Sequence, residues 1–85
     1  MNSKQKKTFK AIFKKPVPAD IKYNDVVAMM KALGADFKKD KSGSRVGFSL
    51  NGCTITIHAP HPGNELKQYA VKDIRDFLIK AGVKI

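Results

Sequence analysis

One dipeptide constrains this chain more than any other. Asn51-Gly52 stands between two stretches that alternate polar and apolar residues, Arg45-Val46-Gly47-Phe48-Ser49-Leu50 before it and Cys53-Thr54-Ile55-Thr56-Ile57-His58 after it. Asn and Gly both tolerate positive φ, which the two central positions of a type I′ turn require, so the pattern predicts a two-residue hairpin. The turn sets the register: Leu50 opposes Cys53, Phe48 opposes Ile55 and Val46 opposes Ile57, with all six side chains facing a core. The other face pairs Ser49 with Thr54, Gly47 with Thr56 and Arg45 with His58. A one-residue slip would bury the polar set, so the register is well specified. Cys53 then reads as a small buried hydrophobe, not a nucleophile.

The hairpin needs a third strand and a helical layer to become a stable domain. Phe37 lies in a short lysine-rich stretch followed by the polar turn Asp40-Lys41-Ser42-Gly43, which supplies the strand. Tyr23, Val26, Val27, Met30 and Leu33 keep helical spacing, with Asn24 as the expected N-cap and Gly34 as the stop. Ala70, Val71, Ile74, Phe77, Leu78 and Ala81 form the stripe of a last helix that ends at Gly82 and starts somewhere between Glu65 and Ala70. Helix, three antiparallel strands and helix predict an α+β two-layer sandwich, with both helices on one face and the polar face of the sheet open. Double-stranded-RNA-binding domains (dsRBDs) share this α-β-β-β-α order; order alone is an analogy.

Ahead of this unit, Asn2 or Ser3 can cap a helix running to Lys15, with Phe9, Ile12 and Phe13 on one stripe, and Pro16-Val17-Pro18 ends it. The expected division is a basic helix and proline linker at 1–18, read as an add-on, and a domain at 19–85. The charge follows the same division. Across 85 residues, 17 Lys+Arg against 7 Asp+Glu give +10. Lys4, Lys6, Lys7, Lys10, Lys14 and Lys15, with no acid among residues 1–15, account for more than half of that excess. Such a segment is either a solubilising arm or an electrostatic clamp on phosphate, and an excess of lysine over arginine favours diffuse attraction over bidentate recognition.

Composition excludes several classes. A single cysteine allows no intrachain disulfide and suits a reducing cytoplasm. No apolar run approaches the ~18 residues of a membrane span. The chain carries no P-loop, dinucleotide fingerprint or serine elbow, and its acids do not cluster to hold magnesium. His58 and His61 offer two metal ligands and Glu65 a third at most, short of a closed structural zinc site, so no metal or other cofactor is expected. Metal-free RNA cleavage remains open to these residues. It needs a base for a 2′-hydroxyl proton, an acid for the leaving 5′-oxygen and a cation near the phosphorane. His58 opposite Arg45, with His61 in the adjacent loop, gathers those types at one edge of the open face. The competing reading is a solvated strand-end histidine with no chemistry.

Gly43-Ser44-Arg45-Val46-Gly47-Phe48, the hairpin, and above all Pro60-His61-Pro62-Gly63-Asn64-Glu65-Leu66-Lys67 leading into Val71-Lys72-Asp73-Ile74-Arg75-Asp76-Phe77-Leu78 resemble the HicA family. These are small toxins of bacterial and archaeal toxin–antitoxin systems, and the likeness covers about residues 20 to 83. The resemblance implies a dsRBD-like fold, mRNA cleavage that arrests translation, and neutralisation by a partner antitoxin of the HicB type. The family's usual Gly-Ser-His carries a histidine taken as catalytic, and here that position is Arg45. His61 matches the histidine of the second motif, and His58 is this chain's own.

The expected site is therefore His58 as general base or acid, His61 assisting and Arg45 steadying phosphate. Lys38, Lys39, Lys41 and Ser44 around the first turn, with Lys67 and Lys72 by the last helix, would hold the RNA backbone. Cross-strand neighbours on one face lie about 5 Å apart, so His58 can stand in for the missing histidine. The alternatives are a catalytically silent RNA binder and a pure protein-interaction domain whose open face receives an antitoxin.

Overall fold

In the computed structural model, which describes residues 1–60 and 63–83, the hairpin is built as the dipeptide dictates. Asn51 has φ 50° and Gly52 φ 82°. Strands β2 (Arg45–Leu50) and β3 (Cys53–His58) pair antiparallel in the register read from the sequence, Arg45 opposite His58 and Leu50 opposite Cys53. Strand β1 (Asp36–Lys39) pairs with the other edge of β2, setting Phe37 against Phe48 and Lys38 against Gly47. The order β1-β2-β3 makes β2 central. Val46, Phe48 and Leu50 of the central strand are buried, as is Ile57 of β3, whereas Phe37, Cys53 and Ile55 on the edges are only partly buried. Cys53 is accordingly half-covered, not the fully buried residue expected from alternation alone.

Two helices cover that face, α2 (Tyr23–Ala32) and α3 (Gln68–Lys80). Both end in a Schellman arrangement. Gly34 (φ 91°) and Gly82 (φ 80°) donate to the carbonyls of Lys31 and Ile79, while Ala35 and Val83 reach back to Met30 and Leu78. The start of α2 differs from expectation. Asn24 lies inside the first turn, the N-cap residue is Lys22, and no side chain caps the helix. A backbone bridge between Lys22 and Glu65 does the work, with the Tyr23 amide donating to the Asn64 carbonyl at 2.7 Å. A helix-terminal amide that a local side chain would usually satisfy is here satisfied from forty residues away in the chain.

The first helix, α1 (Ser3–Ile12), carries the expected Asn2 cap, completed by Gln5 as a capping box. It stops at Ile12, three residues short of Lys15. It is not an add-on: Phe9 and Ile12 are buried in the same core as Val26, Met30, Ile74 and Leu78. Arg75 of α3 donates from Nε to the Ile12 carbonyl and from Nη2 to the Lys14 carbonyl, both at 2.9 Å, and so caps the C-terminal end of α1. Gln68 Nε2 holds the Val17 carbonyl at 2.8 Å. The core thus runs across the boundary at residue 18. Among the described residues no helix is long and apolar enough to cross a membrane.

Candidate functional site

Among the described residues, no helix lies on the polar face of the sheet. Arg45, Ser49, Thr54, Thr56 and His58 are exposed on it, and Ser49 and Thr54 face each other at 3.4 Å between hydroxyl oxygens. The ladder continues past the strand ends, because the Ala59 amide donates to the Ser44 carbonyl at 2.8 Å. That bond fixes the edge where Arg45 and His58 sit side by side.

The turn before Arg45 is tightly organised. Ser42 Oγ donates to Asp40 Oδ1 at 2.9 Å and lies 2.7 Å from Ser44 Oγ. With the Ser42 proton committed to Asp40, the Ser44 hydroxyl donates to Ser42. Ser44, expected to touch RNA, therefore spends its proton inside the turn. The Arg45 amide and Nε approach Asp40 at 3.4 and 3.5 Å. The Ser42 hydroxyl, aided by the amides of Arg45 and Gly43 and by the Arg45 guanidinium, holds the Asp40 carboxyl below its ordinary range.

Two shallow concavities flank the Arg45–His58 edge. One, of about 340 Å³, lies over the β1–β2 side and is lined by Lys38, Lys39, Asp40, Arg45, Gly47 and Thr56 among others. The second, of about 390 Å³, is formed where the end of β3 meets the first turn of α3, with His58, Pro60, Glu65, Lys67 and Tyr69 in its wall. The structure thus places Lys38 and Lys39 with Arg45, and Lys67 with His58. Lys41 is exposed in the turn. Lys72 falls elsewhere, in a groove with Lys15, Gln68 and Arg75 where the proline linker crosses α3. His61, expected to assist, lies outside the described residues. Among the described residues no three His, Cys, Asp or Glu side chains gather as a metal would require.

Glu65 and Tyr69 share the concavity with His58, yet nothing in the local sequence joins them to it. The sequence offers Glu65 as a possible metal ligand and as part of the Pro60–Lys67 motif, and it gives Tyr69 no role. Their placement follows from the Lys22–Glu65 bridge and from Leu66, which is buried and whose amide donates to the Ile21 carbonyl at 2.8 Å. These long-range bonds pin the entry to α3 beside the end of β3.

A family model described as the HicA toxin of bacterial toxin–antitoxin systems matches residues 23–83, well over half of the chain. The match starts at the first residue of α2, leaves α1 outside, and contains the whole Arg45–His58 edge. No curated protein and no solved structure matches the chain.

Proposed function

The chain belongs to the HicA toxin family, and from that membership we propose that it is a toxin that binds RNA and cleaves it without a metal ion. The observation that carries this reading is the register pair Arg45–His58 on an uncovered sheet face, with lysines on both sides. Neutral His58 takes the proton from a 2′-hydroxyl, the resulting oxygen attacks the adjacent phosphorus, and the 5′-oxygen leaves with a proton from the second acid–base group, assigned to His61. The products are a 2′,3′-cyclic phosphate and a 5′-hydroxyl. Arg45 steadies the charge on the phosphorane, and Lys38, Lys39, Lys41 and Lys67 draw in the backbone, with Lys72 too far round the molecule to join them. The reaction belongs to the cytoplasm, where mRNA is the substrate and an antitoxin protein of the HicB type the neutralising partner.

One observation favours a second reading, in which the chain binds RNA without cutting it. At the position where the family pattern has its histidine, Arg45 is already drawn toward Asp40, and arginine cannot exchange a proton near neutrality. Single-stranded RNA incubated with the purified protein in excess chelator separates the two. Cleavage that falls by two orders of magnitude or more in His58→Ala supports the first, since positioned proton transfer contributes about 10²–10⁴-fold. Intact RNA that is nonetheless retarded supports the second. Cleavage that survives His58→Ala and His61→Ala together removes the histidine assignment.

A further inference from the structure

We propose that Tyr69 is a stacking platform for one unpaired nucleobase, held beside His58 so that the ribose of the same nucleotide meets the imidazole. The inference rests on the RNA reading above and adds to it a residue and a substrate conformation.

Three large hydrophobic side chains are exposed among the described residues, Met1, Tyr69 and Ile79. Single exposed apolar residues are ordinary and mean nothing alone. Tyr69 differs by its company. It is 57% exposed, and it lines the 390 Å³ concavity together with His58, Lys67 and Glu65. An aromatic ring open to solvent, a lysine and a histidine in one hollow answer to the three parts of a nucleotide: base, phosphate and ribose hydroxyl.

The volume agrees with that occupant. Small-molecule sites begin at about 300 Å³, so the hollow is large enough for one nucleotide. Every base has a π-face, so stacking on Tyr69 is tolerant of sequence. A paired base keeps both faces inside the helix and cannot reach the ring, which selects single strands, loops and bulges. Glu65 is the one acid in the lining, and its charge turns the phosphate toward Lys67. The ring is also firmly based: Ala70 and Val71, the next two residues of α3, are buried, so the first turn of the helix is anchored while Tyr69 faces out.

The test uses the full chain and a non-cleavable, 2′-O-methylated single-stranded oligoribonucleotide, with a duplex of the same sequence as control. Affinity is measured at one fixed salt concentration for the parent, Tyr69→Ala and Tyr69→Phe. Loss of one stacked base weakens binding roughly 5- to 150-fold. Tyr69→Ala should show that loss on the single strand and none on the duplex, and Tyr69→Phe should bind as the parent does. An abasic oligonucleotide should reduce parent affinity and leave Tyr69→Ala indifferent. Parent-like binding by Tyr69→Ala overturns the proposal alone, as does equal loss in Tyr69→Phe, which would assign the effect to the hydroxyl. A parent that binds no single-stranded RNA overturns the RNA reading itself.

Discussion

Arg45 lies opposite His58 across the β2–β3 ladder, yet its guanidinium is turned toward Asp40, 3.5 Å away on the other side of the strand. The residue that occupies the family's histidine position is thereby kept on the β1 side of the open face, over Lys38 and Lys39, while His58 borders the hollow at α3. The cation and the imidazole line neighbouring concavities that meet at one strand edge.

On the proposed RNA reading, Asp40 holds Arg45 back from phosphate. Replacing the carboxylate, in Asp40→Asn, frees the guanidinium and removes a negative charge from a basic surface. RNA affinity at low salt should rise by a few-fold, and the gain should shrink as salt screens the surface. A titration of the variant and the parent at two salt concentrations checks this; weaker binding by Asp40→Asn would show that the turn itself matters more than its charge.

The same carboxylate should report on acid stability. Its folded-state pKa is depressed, chiefly by the Ser42 hydroxyl. It therefore contributes stability above the ordinary Asp value of about 3.9, and this is lost as pH falls through the lower folded value. A carbon-detected NMR titration should find Asp40 titrating below the ordinary Asp value. Ser42→Ala should move it up toward the ordinary range.

Asn51 performs two tasks that substitution can separate. It adopts φ 50° in the turn, and its Nδ2 donates to the Ala81 carbonyl at 2.8 Å, tying the hairpin tip to the end of α3. Asn51→Gly keeps the backbone geometry and loses the side-chain bond, a cost of about 1 kcal/mol. Asn51→Ala adds the left-handed backbone penalty of roughly 1–2 kcal/mol. Chemical denaturation should rank them parent, Asn51→Gly, Asn51→Ala.

The N-terminal helix should prove necessary for the fold. Arg75→Ala removes both bonds to the Ile12 and Lys14 carbonyls and should cost about 2 kcal/mol, with new protease cleavage between residues 13 and 22. Ile12→Ala empties a fully buried site and should cost about 2–5 kcal/mol. A chain lacking residues 1–18 that melts at the parent temperature would show that α1 is dispensable.

The parts of this protein legible in the sequence are those governed by neighbours a few residues apart. The Asn51-Gly52 turn, the alternation around it and the glycine stops at Gly34 and Gly82 depend on local φ preferences and short periodicities, so the hairpin register and the C-terminal ends of α2 and α3 agree with the sequence pattern. The His58–Arg45 pairing belongs to the same class, since a two-residue turn leaves no freedom in what lies opposite what.

Tertiary structure decided what distant segments do to each other. A lysine-rich helix carries no mark that Arg75, more than sixty residues on, will cap it and draw it into the core. The start of α2 looked like a side-chain cap at Asn24, but a carbonyl at Asn64 satisfies the amide. Cys53 is half-covered at the hairpin end of edge strand β3, whereas Ile57 of the same strand is buried, a difference that alternation cannot express. Tyr69 stands beside His58 because backbone bonds from Ile21–Tyr23 to Asn64–Leu66 fix where α3 begins. Local torsional preference is written residue by residue, whereas the partner of a buried polar group or an exposed ring is set only when the whole chain closes on its core.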